Sequence, residues 1–174
     1  TEVGIVLDEN DKITNNPPAS FPGKLLAWLH KRYTTFNGSI ESGVTIVPTE
    51  LVTDNGTKLK LIIEQLATLN NLDAAFINWL LNANDFCNSL VDRIVPGKMP
   101  AQQHTATEEA LGYKDDLMIM SEVYSLWAIE TSNEKSKAVL SFSTVDNGVV
   151  LAPNINKFRE LKLRLRSEEH TSEL

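Results

Sequence analysis

The chain has 174 residues, of which 42% are hydrophobic and 22% charged, and its formal net charge is −7. That balance allows one core of ordinary domain size and gives no support to nucleic-acid binding, since no basic cluster interleaved with aromatics offsets the acidity. The single cysteine, Cys87, excludes an intramolecular disulfide and a zinc site built on several thiolates, and no run approaches the ~18 apolar residues of a membrane span, so a cytoplasmic protein without a membrane partner is expected.

Residues 3–7 are short and apolar and read as a strand, so the chain, which opens on Thr1 rather than Met, is expected to begin mid-fold. Residues 8–16 read as polar loop. Ser20 is placed to cap a helix whose first turn accommodates Pro22, where a missing N–H costs nothing. Leu25, Leu26, Leu29, Tyr33 and Phe36 then recur at helical spacing, and Asn37-Gly38 closes the helix. Residues 44–47 are β-branched and bounded by Gly43 and Pro48, which predicts a buried strand. A polar loop over 48–56 leads into a helix with Leu59, Ile62, Ile63, Leu66 and Leu69 on one face. Asp73 caps a third helix carrying Phe76, Ile77, Leu80 and Leu81.

The opening alternation of strand and helix predicts an α/β fold with a parallel sheet. Ligands in such sheets sit at the carboxyl ends of the strands, which directs attention to residues 2–7 and 49–56. Further on, residues 92–97 read as a short strand and turn, and 98–107 as polar loop, with Thr107 capping a short helix through Leu111. Residues 117–120 and 124–129 read as strands, 132–137 as a charged loop, and 139–143 and 149–151 as strands around Asn147-Gly148. Asn154 is expected to cap a last helix carrying Phe158, Leu161 and Leu165. Residues 166–174 break that pattern and read as the translation of a sequencing-library adapter, a non-native tail to be left out of fold reasoning.

Several blocks resemble the polyol-specific long-chain dehydrogenase family, the mannitol dehydrogenases, in the branch that acts on tagaturonate. They are residues 17–25 (PPASFPGKL), 46–51 (IVPTEL) with Asp54-Asn55-Gly56, 108–113 (EEALGY), 126–130 (LWAIE) and, most specifically, 86–97 (FCNSLVDRIVPG) with its Val91-Asp92-Arg93-Ile94 core. The resemblance implies the second half of a Rossmann-like NAD-binding domain over 1–152 and the first helix of an α-helical substrate domain over 153–165. It implies an internal fragment of an oxidoreductase that uses NAD and a sugar acid to interconvert D-tagaturonate and D-altronate by hydride transfer, the fragment alone being inactive. No G-x-G-x-x-G occurs, so the phosphate loop is expected upstream.

Relatives in this family use a lysine as base, an asparagine five positions on and a histidine three beyond that. Lys162 fits the lysine position, and burial can bring a lysine into the range for neutral-pH proton transfer. The asparagine position falls on Ser167, a departure from the pattern, and the histidine position on His170, inside the suspected tail. Asn55 is the second catalytic candidate, set against the alternative that Asn-Gly is simply turn chemistry. Glu50 is a candidate for a ribose hydroxyl or substrate, or else for an ion pair with a lysine. Asp92 and Arg93 are candidates beneath the cofactor, as an ion pair, and Glu2 for the neighbourhood of the nicotinamide. No metal ligand is expected: His30 and His104 read as surface residues without clustered partners, and Cys87 as a packing residue.

Two alternatives stay open. One is a sibling specificity for fructuronate or mannitol, although such relatives carry Asp-Asn where this chain has Glu50-Leu51. The other is a non-enzymatic α/β interaction module.

Overall fold

Ser20 accepts a hydrogen bond from the Gly23 N–H and starts α1 (Phe21–Thr35), with proline in its first turn as expected. The computed structural model describes residues 4–166, with side chains described to residue 164. The remaining elements are β1 (Thr45–Ile46), α2 (Asn55–Leu69), α3 (Ala74–Ala83), β2 (Asp85–Phe86), β3 (Asn88–Asp92), β4 (Gly97–Lys98), α4 (Ala101–Leu111), β5 (Ile119–Met120), β6 (Leu126–Glu130), α5 (Glu134–Val139), β7 (Val149–Ala152) and α6 (Asn156–Arg166).

The main core lies among the first three helices. Leu26 and Leu29 of α1, Leu59, Ile63 and Leu66 of α2, and Phe76 and Leu80 of α3 are all fully buried. Each such side chain contributes roughly 1.5–3 kcal/mol by leaving water. Tyr33 meets Phe76 edge-on at 5.3 Å, and Trp79 satisfies its indole N–H on the Ser39 carbonyl at 2.9 Å. Asp73 caps α3 through the Phe76 N–H, as its position predicts. Asp11 anchors the approach to α1. Its carboxylate is buried and accepts from the N–H groups of Ala19 and Ser20 and from the Ser20 hydroxyl. Burial pushes the Asp11 carboxyl up, but the Ser20 hydroxyl and the backbone donors outweigh it together and leave it below the ordinary carboxylate value.

The strands are mixed rather than all parallel. β1 pairs parallel with β2, while β3 pairs antiparallel with β6, which pairs parallel with β7, in the order β3-β6-β7. β3 is therefore an edge of its sheet. Cys87, Ile129 and Leu140 form a second buried cluster beneath it. No helix among the described residues is long and apolar enough to cross a membrane.

Several sequence expectations need correction. The described residues 4–7 form no strand: Ile5 and Leu7 are apolar because they pack on the helical core. The expected loop over 48–56 ends early, since α2 already begins at Asn55. The strand expected at 92–97 lies earlier, at Asn88–Asp92, and Gly97–Lys98 pairs with β5. Residues 101–111 are one helix, and the Thr107 hydroxyl donates back to the Gln103 carbonyl instead of capping. That helix buries nothing, so it carries no apolar period to read. Residues 132–143, expected as loop and strand, form α5, capped by Asn133, and a 3-10 turn over Ser141–Thr144. The Val139, Leu140 and Phe142 side chains mimic strand composition there. Asn154 accepts from the Asn156 N–H as α6 starts, but Leu161 is half exposed and the buried anchor is Ile155.

Candidate active site

The chain turns sharply between β1 and α2. Asp54 sits in the left-handed region at φ 55°, a conformation that short polar residues tolerate best. Asn55 then enters α2 with no exposed surface. Its side-chain amide donates to the carbonyls of Pro48 (3.1 Å), Glu50 (3.0 Å) and Ser89 (3.1 Å), so its two hydrogens serve three acceptors. Its oxygen accepts from the N–H groups of Ser89 (2.8 Å) and Gly56 (2.9 Å). The pair of bonds to Ser89 copies what a neighbouring strand would offer: one donor and one acceptor facing the outward edge of β3. The Ser89 hydroxyl also donates to the Pro48 carbonyl.

Two residues further along the same edge, the outward carbonyl of Val91 accepts from the Lys162 ammonium at 3.0 Å. Lys162 comes from α6, which is tied to the turn by an ion pair from Arg159 to Asp54 at 2.7 Å. Between these parts lies a cavity of about 360 Å³, lined by the 50–53 loop, residues 89–91 of β3, and Arg159, Lys162 and Leu163 of α6. It sits past the carboxyl end of β1, where α/β folds bind ligands. Two cations, Arg159 and Lys162, and one carboxylate, Glu50, line it, and Arg159 is already paired with Asp54.

The structure brings Glu50 and Lys162 to one cavity. Glu50 also accepts from the Ile5 N–H at 3.1 Å, which fastens the N-terminal segment to the loop. Asn55 does not face the cavity. Its side chain is buried and makes five hydrogen bonds that bracket the loop against β3. Asp92 is buried at the end of β3, whereas Arg93 is exposed and donates from Nε and Nη2 to the Glu122 carbonyl. Neither lines the cavity. Glu2, Ser167 and His170 lie outside the described residues. Arg159, Asp54 and Ser89 were missed by the sequence reading. Arg159 was within reach of it, being three positions before Lys162 and hence on the same helical face.

His30 and His104 are half-buried with partners rather than bare surface groups. His30 packs edge-on against Phe76 at 5.0 Å, and His104 bonds the Asp115 carbonyl and neighbours Glu108. Among the described residues, no group of three His, Cys, Asp or Glu side chains converges on a metal position. Cys87 is buried beside Asp85, and its thiol is pushed up to about 12 by burial first and by the Asp85 charge second. Its burial and raised thiol disfavour the thiolate that a nucleophile needs, which fits a packing role.

The cavity lies near the low end of small-molecule pockets, which span ~300–1,000 Å³. It has room for a sugar acid or the reactive end of a dinucleotide. A phosphate cradle built on a Gly-rich turn is missing from the sequence.

Residues 1–141 match the model of the mannitol dehydrogenase Rossmann domain. The chain is 40% identical over 172 residues to the altronate oxidoreductase of Bacillus subtilis (strain 168) and 39% identical over 171 residues to that of Phocaeicola vulgatus, covering 99% and 98% of this chain. It spans about a third of the length of these curated relatives, 35% in each case. Among solved structures it is similar to a substrate-free D-sorbitol dehydrogenase, with a TM-score of 0.62 and 21% identity over 88% of this chain and 30% of that one. It is also similar to the Pseudomonas fluorescens mannitol 2-dehydrogenase ternary complex with NAD and D-mannitol, with a TM-score of 0.60 and 20% identity over 84% of this chain and 27% of the other.

Proposed function

Because the chain belongs to the mannitol dehydrogenase family, we propose that it forms part of an NAD-dependent oxidoreductase interconverting D-tagaturonate and D-altronate. The observation that carries this reading is the Lys162 ammonium at the wall of the cavity, next to the 50–53 loop, in a chain 40% identical to an altronate oxidoreductase. NAD(H), when bound, accepts or supplies the hydride. Lys162 handles the proton: as the neutral amine it takes the hydroxyl proton when altronate is oxidised, and as the ammonium it gives a proton to the carbonyl oxygen when tagaturonate is reduced. Glu50 lies where it can accept from a hydroxyl of the sugar or the ribose. Asp92 and Arg93, which do not line the cavity, remain candidates beneath the cofactor, and Glu2 is assigned to the nicotinamide side by topology alone.

The test is turnover by the uninterrupted gene product with NADH and D-tagaturonate, D-fructuronate or D-fructose. Tagaturonate is expected to be preferred, and Lys162→Met should lower kcat by about 10²- to 10⁴-fold, the usual weight of a general acid–base. A clear preference for fructose, or an active Lys162→Met variant, would overturn the assignment.

A further inference from the structure

The α6 helix has little apolar anchorage beside the cavity. Ile155 is buried just before it, but Leu161 and Leu163 are 49% and 68% exposed. What fixes the helix there is polar. Arg159 donates from Nη2 to Asp54 Oδ1 at 2.7 Å and from Nη1 to Asn156 Oδ1 at 3.0 Å. Asp54 caps no N–H of its own helix, which leaves its carboxylate to Arg159 across 105 positions of sequence. Lys162 is three positions on, so it shares the face of Arg159, and fixing one side chain's helix position fixes the other's.

We propose that Asp54 and Arg159 are positioning residues for Lys162: their ion pair sets the rotation and height of α6 over β3, so that the ammonium stands at the cavity. This rests on the proton-transfer role given to Lys162 above. The Asp54 side chain is 49% exposed and that of Arg159 23% exposed. Pairs of this kind add little to global stability. A displacement of about 1 Å at a reacting group, in contrast, costs on the order of 10²-fold in rate. The signature is therefore a loss of kcat without a comparable loss of fold.

The experiment uses the uninterrupted gene product with Asp54→Asn, Arg159→Gln and the reversed pair D54R/R159D. Asn keeps the left-handed backbone at position 54 comfortable. Asp54→Glu, which retains the charge one methylene further out, is the milder variant. Turnover with NADH and tagaturonate, NADH affinity by fluorescence, thermal melting and hydrogen exchange of residues 156–164 are measured together. The single variants should lose about 10- to 100-fold in kcat, keep NADH affinity within about twofold, and exchange α6 amides faster at nearly unchanged Tm. The reversed pair should recover both kcat and protection relative to either single variant, and Asp54→Glu should fall between wild type and Asp54→Asn. Single variants with wild-type kcat, unchanged α6 exchange, or a kcat loss that merely tracks Tm would overturn the proposal. If the wild type turns over no tagaturonate, the proposed reaction fails separately, and the exchange data still decide whether Asp54 and Arg159 hold α6.

Discussion

Replacing Asn55 by Ala tests the bracket behind the cavity most directly. The substitution removes five hydrogen bonds, but they are not equivalent. The Pro48 carbonyl keeps the Ser89 hydroxyl, and the bond to the Glu50 carbonyl is only part-buried. The N–H and C=O of Ser89 are different: both are bonded to Asn55 in a buried setting, on the sheet edge where β6 cannot serve them. Each stranded buried group costs roughly 1–3 kcal/mol, so a loss of about 3–5 kcal/mol is expected. For a domain of this size that corresponds to a fall in Tm of roughly 6–20 °C. Asn55→Asp keeps the shape but sets a carboxylate against three carbonyl oxygens, and should cost at least as much. Urea unfolding followed by far-UV circular dichroism measures both. If Asn55→Ala lies within about 1 kcal/mol of wild type, the bracket is not what holds this loop. A variant that keeps its stability yet loses activity would instead return Asn55 to the ligand-contact role.

Gly56→Ala drives a Cβ into the Cys87 carbonyl oxygen and to 2.8 Å from the Asn88 nitrogen, both backbone, so a cost of roughly 1–3 kcal/mol is expected and an unchanged melting curve would be a failure of the packing argument. Cys87, pushed up to about 12, should react with iodoacetamide at pH 8 on the order of a thousandfold more slowly in the native protein than in urea, and comparable labelling rates would contradict its burial. The Asp11 carboxyl is held below its ordinary value, so its stabilisation is complete above the unfolded value near ~3.9 and is lost as pH falls through the lower folded value. Asp11→Asn should therefore lower the urea midpoint at pH 7 and flatten its decline below about pH 4; parallel pH curves for the two proteins would refute this.

The helices of the core were legible because their apolar residues recur at 3.6-residue spacing and their caps are conventional. Ser20 and Asp73 act as their positions promise. Legibility failed where an element has no buried stripe. α4 buries no residue, and α5 buries only Ser136, so neither offers a period to detect. Residues 4–7 failed for the converse reason: they are apolar for packing against helices, and composition alone cannot separate that from a strand.

The site divides along the same line. Lys162 and Glu50 were found by resemblance and strand-end reasoning, and one cavity unites them. Asn55 was singled out as a ligand contact or a turn residue, and the structure shows its side chain bonded to a strand edge. An Asn-Gly pair after a strand suggests either a ligand contact or a turn, because sequence does not reveal that a strand edge lies behind it. The edge of β3 explains the arrangement physically. An open edge carries unpaired N–H and C=O groups every second residue, and each needs a partner or water. Asn55 serves Ser89, and Lys162 serves the Val91 carbonyl two residues on. The first partner comes from the turn after β1 and the second from a helix more than 100 residues later, so the edge draws distant parts of the chain together. The Val91 carbonyl thus holds the amine of Lys162 in place by hydrogen bonding without carrying a formal charge that would pair with it. That leaves the ammonium at the cavity wall with no opposite charge holding it there, a condition that the proton-transfer role proposed for Lys162 requires.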